Sequence, residues 1–144
     1  MFKKILVATD GSELSQRAID TAVNLARSLG AALVGFTAVE AYPYIDIGQV
    51  SPAHYDEFQA RAAARANERL AAIESAARAA GVPCETVMRQ TAQPWRGIVD
   101  AAAETGCDAI VMASHGRAGV SAFLLGSETQ RVLAHAPVPV VVVR

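Results

Sequence analysis

Cysteine, excess charge of either sign and long apolar runs are all scarce in this chain, and each scarcity closes off a class of protein. Its 144 residues include two cysteines, Cys84 and Cys107, with no CxxC pair and no histidine at metal-ligand spacing. A zinc site is therefore not indicated, and both read as buried structural thiols, although the sequence leaves a disulfide between them open. The formal net charge is -1, which excludes an overall electrostatic nucleic-acid binder and a charged disordered tail. No segment approaches the roughly 20 apolar residues of a membrane span. The N-terminal MFKKILVATDGS has too short an apolar run for a signal peptide and no A-x-A site, so a cytoplasmic, membrane-free protein is expected. The two common nucleotide signatures are also missing: no glycine-rich loop ends in Lys followed by Ser or Thr, and there is no G-x-G-x-x-G.

What is present is a regular alternation of buried-strand and amphipathic-helix patterns. At this length a single domain, residues 1–144, with its own core is expected. Residues 3–9 form an apolar run suited to a strand buried on both faces, and Ser12 and Gly30 bracket a helix with Ile19, Ala22, Val23 and Ala26 on one side. Residues 32–39 predict a second strand, which makes a parallel crossover. A loop follows over 41–52, then a long helix from about 53 to 80 facing inward through Phe58, Ala62, Leu70, Ile73 and Ala77. Residues 83–90 alternate like a strand near a sheet edge. Pro94 opens a helix that Gly106 stops. Residues 108–114, a helix over 127–134 and the strand VPVVVV complete a β-α-β-α-β-α-β-α-β pattern. The fold class is α/β, a doubly wound five-stranded parallel sheet with helices on both faces.

Ligands of such sheets sit at the carboxyl ends of the strands, where the order reverses. Strand one ends in Ala8-Thr9-Asp10-Gly11-Ser12 and strand four in Ala113-Ser114-His115-Gly116; side by side, they build one crevice. The long loop after strand four carries Arg117, Gly119 and then Gly126-Ser127 at a helix start, where free N–H groups and the helix dipole attract an anion. The same pair could merely turn the chain and cap the helix, and Asp10 could be only an Asx-turn residue. A Ser114-His115-Asp10 triad is disfavoured, because adjacent Ser and His rarely reach the required geometry. His54 and His135 suggest no role, and Arg61, Arg65 and Arg69 read as a solvated helix face. Trp95 is explained by packing of its helix onto the sheet.

The stretches ILVATDGSELSQRAI and DAIVMASHGRAGVSAFLLGSETQRVLAHAPVPVVVVR together resemble the universal stress protein family, in its small single-domain bacterial form. The resemblance covers the whole chain and implies a Rossmann-like sheet ordered 3-2-1-4-5, of the adenine nucleotide alpha hydrolase-like type. In the family's nucleotide-binding branch the last loop reads Gly, two residues, Gly, nine residues, Gly and Ser or Thr. Gly116, Gly126 and Ser127 match; Ala113 stands where the first glycine would be. An alanine there is costly at positive φ; at the ordinary β angles that a strand end favours, its methyl matters only if a phosphate or ribose packs against it, so nucleotide binding is expected to be weakened or unchanged rather than abolished. The resemblance implies a nucleotide site of Ala8, Thr9, Asp10, Ala38, Met112, Ala113, His115, Gly116, Arg117, Gly119, Gly126, Ser127 and Glu128, with Asp10 near the ribose or a phosphate-bound metal. It further implies ATP, with magnesium, as a regulatory ligand, and a homodimer paired through Val138, Val140, Val141, Val142 and Val143 at the sheet edge, with a further protein partner. Alternatives are an interaction protein that has lost nucleotide, and an ATPase or nucleotide-transfer enzyme. The absence of an evident general base beside the loop speaks against efficient chemistry.

Overall fold

The computed structural model describes residues 1–42, 51–116 and 125–144. They form β1 (Lys4–Ala8), α1 (Glu13–Leu29), β2 (Ala32–Val39), α2 (Pro52–Ala79), β3 (Cys84–Gln90), α3 (Pro94–Glu104), β4 (Ala109–Ala113), α4 (Ser127–His135) and β5 (Val140–Val143). The strands make one sheet in the order β3-β2-β1-β4-β5, parallel at every pairing. The expected doubly wound architecture is therefore present. The order reverses between β1 and β4, which start from a common point: the Asp108 carboxylate accepts from the backbone N–H of Lys3 at 2.9 Å and of Lys4 at 3.1 Å.

Two apolar layers sandwich the sheet. On one face Ile5, Val7, Ile19, Val23 and Ile73 pack α1 and α2 against the strands, and on the other Leu6, Val34, Phe36, Ile98, Ile110 and Val132 seat α3 and α4. Alternate residues of β1 point to opposite layers, as the pleat requires, so its run Ile5-Leu6-Val7 is apolar on both sides. This is why the central strands read as continuous apolar segments.

Differences from expectation sit mostly at element ends. Helix α2 begins at Pro52, earlier than the sequence suggested, because Pro at the first helical position has no N–H to leave unpaired and Ser51 caps it, its Oγ accepting from His54 N–H at 3.2 Å. Ala66 joins its buried face, while Phe58 is only half-buried and meets Tyr42 edge-on at 5.0 Å. The last strand begins at Val140, so Val138 lies before it, packed against the α3–α4 layer. Cys107 is buried, but Cys84, on the edge strand β3, is half-buried, and both are free thiols. Burial pushes both thiols up from their ordinary pKa. Among the described residues no helix is long and apolar enough to cross a membrane.

Candidate functional site

The reversal point opens into a cavity of about 410 Å³ at the carboxyl ends of the strands. Every described residue of the expected site lines it: Ala8, Thr9, Asp10, Ala38, Met112, Ala113, His115, Gly116, Gly126, Ser127 and Glu128. Arg117 and Gly119 lie outside the described residues. The sequence reading missed Phe36, Thr91, Pro94 and Ile98, which with Ala38 and Met112 make an apolar slot between β2 and α3, and it missed Ser15 and Arg69 on the opposite layer.

The loop after β1 is held by a chain of hydroxyls. Ser15 Oγ donates to the Ser12 carbonyl at 2.8 Å and lies 3.0 Å from Thr9 Oγ1. With the Ser15 proton so used, Thr9 is the donor between the two. Gly11 N–H donates to Thr9 Oγ1 at 3.2 Å, and the fully buried Thr37 donates to the Thr9 carbonyl at 2.8 Å. Buried hydroxyls satisfied in this way fix a loop, since breaking one link strands its neighbour. Asp10 Oδ1 accepts from Ser12 N–H at 2.9 Å, the Asx turn that was one of two readings for this residue. Its other oxygen is turned toward Gly116, where any Cβ would run into Oδ2.

Across the cavity, Gly126 caps α4 with no side-chain partner. Its N–H donates to the Ser114 carbonyl at 2.7 Å, and an added Cβ would stand 3.2 Å from His115 Cα. A side chain at position 126 would crowd the backbone where the two segments meet, and the start of α4, at Ser127, borders the cavity. Ser127 is exposed at that helix start. Thr129 Oγ1 donates to the Ala113 carbonyl at 2.9 Å and Ser114 N–H to the Val143 carbonyl at 2.8 Å, so the end of β4 is tied to both α4 and β5. No described residue other than glycine has positive φ, so Ala113 carries no backbone strain; it borders the cavity while packing in the α1–α2 layer.

Three details go beyond the sequence. The adjacent Ser114 and His115 do meet, Oγ to Nδ1 at 3.2 Å, because the chain bends sharply after β4. Ser114 is nonetheless 5% exposed and does not line the cavity, so it is not presented as a nucleophile. Glu128 lines the cavity, yet its carboxylate is engaged: Oε2 accepts from the Trp95 backbone N–H at 2.7 Å, capping α3 where Gln93 offers no side-chain cap, and Oε1 faces Arg131 at 3.4 Å. Trp95 packs against the layer beneath α3 and also lies on the His135 ring, with centroids 4.5 Å apart. The arginine row of α2 is not uniformly solvated. Arg61 is exposed, Arg65 pairs with Glu40 at 3.6 Å, and Arg69 enters the cavity wall.

The model of the universal stress protein family matches residues 1–144. A universal stress protein of Thermus aquaticus is 36% identical over the whole of both chains, and one of Bacillus subtilis is 34% identical, again over the whole of both. Among solved structures, a universal stress protein of Lactobacillus plantarum superposes with a TM-score of 0.82 at 26% identity, covering 99% of this chain and 97% of that one. A universal stress protein in complex with cAMP superposes with a TM-score of 0.73 at 25% identity, covering 99% and 97%.

Proposed function

The chain belongs to the universal stress protein family, and we propose that it binds an adenine nucleotide, ATP by preference, as a regulatory ligand in a cytosolic stress-response homodimer. The observation that carries this reading is one cavity with two unlike ends. Phe36, Ala38, Ile98 and Met112 offer a flat apolar slot, while Asp10, His115, Gly116 and the start of α4 offer polar groups beside it. That combination suits a planar base joined to a sugar phosphate. The related protein in complex with cAMP supports the same class of ligand.

The residues divide the work. Asp10, held by its Asx turn, is placed to accept from sugar hydroxyls; the N–H groups opening α4, with the Ser127 hydroxyl, favour phosphate oxygens through the helix dipole. The Glu128 carboxylate joins α3 to α4 by accepting from the Trp95 N–H, while its backbone N–H belongs to the helix start that faces the ligand in this reading. Magnesium fits in part. Among the described residues no group of three His, Cys, Asp or Glu could hold a metal, so Asp10 would supply at most one ligand, with phosphate oxygens and water completing the shell. In this reading the ligand is held rather than turned over, or turned over slowly. Nucleotide bound across the ends of β1 and β4 changes the surface around the cavity, and a partner protein reads that surface. Dimerisation uses the open edge of β5, which among the described residues pairs only with β4.

Titration calorimetry with ATP and magnesium, on the wild type and on Ser127→Asp, tests the reading. Saturable binding by the wild type and a loss of at least tenfold in the variant, from charge opposed to phosphate, are expected. No binding by the folded wild type refutes it.

A further inference from the structure

Of the described cavity-wall residues that neither the family motif nor the sequence pattern assigns, the one with a fixed positive charge is Arg69. It projects from α2, on the opposite face of the sheet from α3 and α4. Its side chain lies across the turn that follows β1: Nε is 3.0 Å from where a Cβ of residue 11 would be, and Cγ 3.4 Å. Residue 11 is a glycine at φ +81°, so the turn leaves the space that the arginine stem fills. One consequence is that Arg69 borders two cavities. It lines the main one with Asp10 and Gly116, and a second of about 300 Å³ between α1 and α2 with Ser12, Glu13 and Glu68. Thr9 and Ser15 are shared by both.

We infer that Arg69 selects among adenine nucleotides by the number of their phosphates, favouring the triphosphate over the monophosphate. The inference rests on the nucleotide reading of the main cavity. Without magnesium, the apolar slot and Asp10 serve the nucleoside and the start of α4 the first phosphate, so none of these described groups distinguishes AMP from ATP strongly. Arg69 stands at the β1 side of the polar end, over Gly11, where a longer anionic chain leaving α4 toward the second cavity would pass. Guanidinium groups bind phosphate oxygens in pairs and keep their charge at all working pH values. Asp10, Glu40, Glu13 and Glu68 border the same two cavities. Without a fixed cation among these carboxylates, each further phosphate would meet repulsion.

The test is equilibrium binding of adenosine, AMP, ADP and ATP to the wild type, Arg69→Gln and Arg69→Lys, each first checked for an intact cooperative melt. Arg69→Gln is expected to leave adenosine affinity unchanged, to weaken AMP by no more than about threefold, and to weaken ATP by on the order of tenfold or more, the usual effect of losing a charge-assisted hydrogen bond. Arg69→Lys, which keeps the charge without the fork, is expected to recover part of the ATP affinity. An equal loss for adenosine and ATP would assign Arg69 to holding the turn and overturn the inference, as would an unchanged ATP affinity. Wild-type protein that binds none of the four ligands would refute the nucleotide reading and this inference together, whereas binding with a flat response to Arg69→Gln removes the inference alone.

Discussion

Ala113→Gly restores the glycine that the family's nucleotide-binding loop carries at this position, and the structure predicts that it makes the protein worse. Ala113 closes β4 in register with Val143, is 8% exposed and has no positive φ. Glycine therefore relieves no strain there. It adds the chain entropy of a glycine within a strand, about 0.5–1 kcal/mol, and removes a methyl that is almost wholly covered, worth up to about 0.8 kcal/mol. The expected loss is about 1–2 kcal/mol, a fall in Tm of roughly 3–6 °C for a domain of this size. Urea melts with an unchanged m-value read the stability directly. ATP affinity is expected to stay within about threefold, since Gly116, Gly126 and the start of α4 are untouched and the methyl is almost wholly covered by the α1–α2 layer. A variant that melts at or above the wild-type temperature, or one that binds ATP tenfold more tightly, would refute the argument. The first would mean a strained alanine, the second a methyl standing where the nucleotide must lie.

Two further outcomes follow from the sheet's ends. The carbonyls of Pro139 and Val143 accept from Ile110 and Ser114 N–H, so by strand alternation the N–H of Val142 faces the open edge; Val142→Pro is expected to leave the β4–β5 ladder intact yet shift the proposed dimer to monomer in light scattering, and an unchanged dimer mass would move the interface elsewhere. Lys3 and Lys4 N–H groups bonded to Asp108 hold its carboxyl below the usual carboxylate range, so its contribution is present above that range and fades as pH falls through the lowered value. Because the site is largely open to solvent, Asp108→Asn is expected to cost under about 1 kcal/mol at pH 7 in urea melts, with the two proteins converging in strong acid; a gap that stays constant with pH would mean the carboxylate charge is not what matters.

The fold was legible because its signals are local. A strand buried on both faces must be apolar at every position, as in Ile5-Leu6-Val7, and each crossover helix carried its own stop, such as Gly30 after α1. Boundaries slipped where one residue type serves two roles. Pro52 read as a loop residue because proline breaks helices, yet at a first turn it starts one. Cys84 read as buried because cysteine usually is, and the edge position of β3 left it half-open.

The site was legible only along the chain's own motifs. Gly116 and Gly126 could be found by spacing, and their physical reasons, the Asp10 carboxylate beside one and the His115 backbone against the other, became visible once β1 and β4 lay side by side. The apolar slot could not be found that way. Phe36 and Ile98 have the same pattern as any core residue on β2 or α3, and what distinguishes them is a gap left where two strands' following chains part in opposite directions. Arg69 was harder still. Its four-residue spacing from Arg65 and Arg61 is the signature of a solvated face, and the three differ only because α2 is long enough to pass from open solvent, past Glu40, to the turn after β1. The direction of a helix over a sheet is a tertiary property, so a cation delivered by that direction leaves no local trace. For the same reason the place of Glu128 after Ser127 does not reveal that its carboxylate also caps α3, a helix whose Gln93 offers no side-chain cap. Both cases have one cause: a side chain's partner is set by the element across from it, and the motif names only the element it sits on.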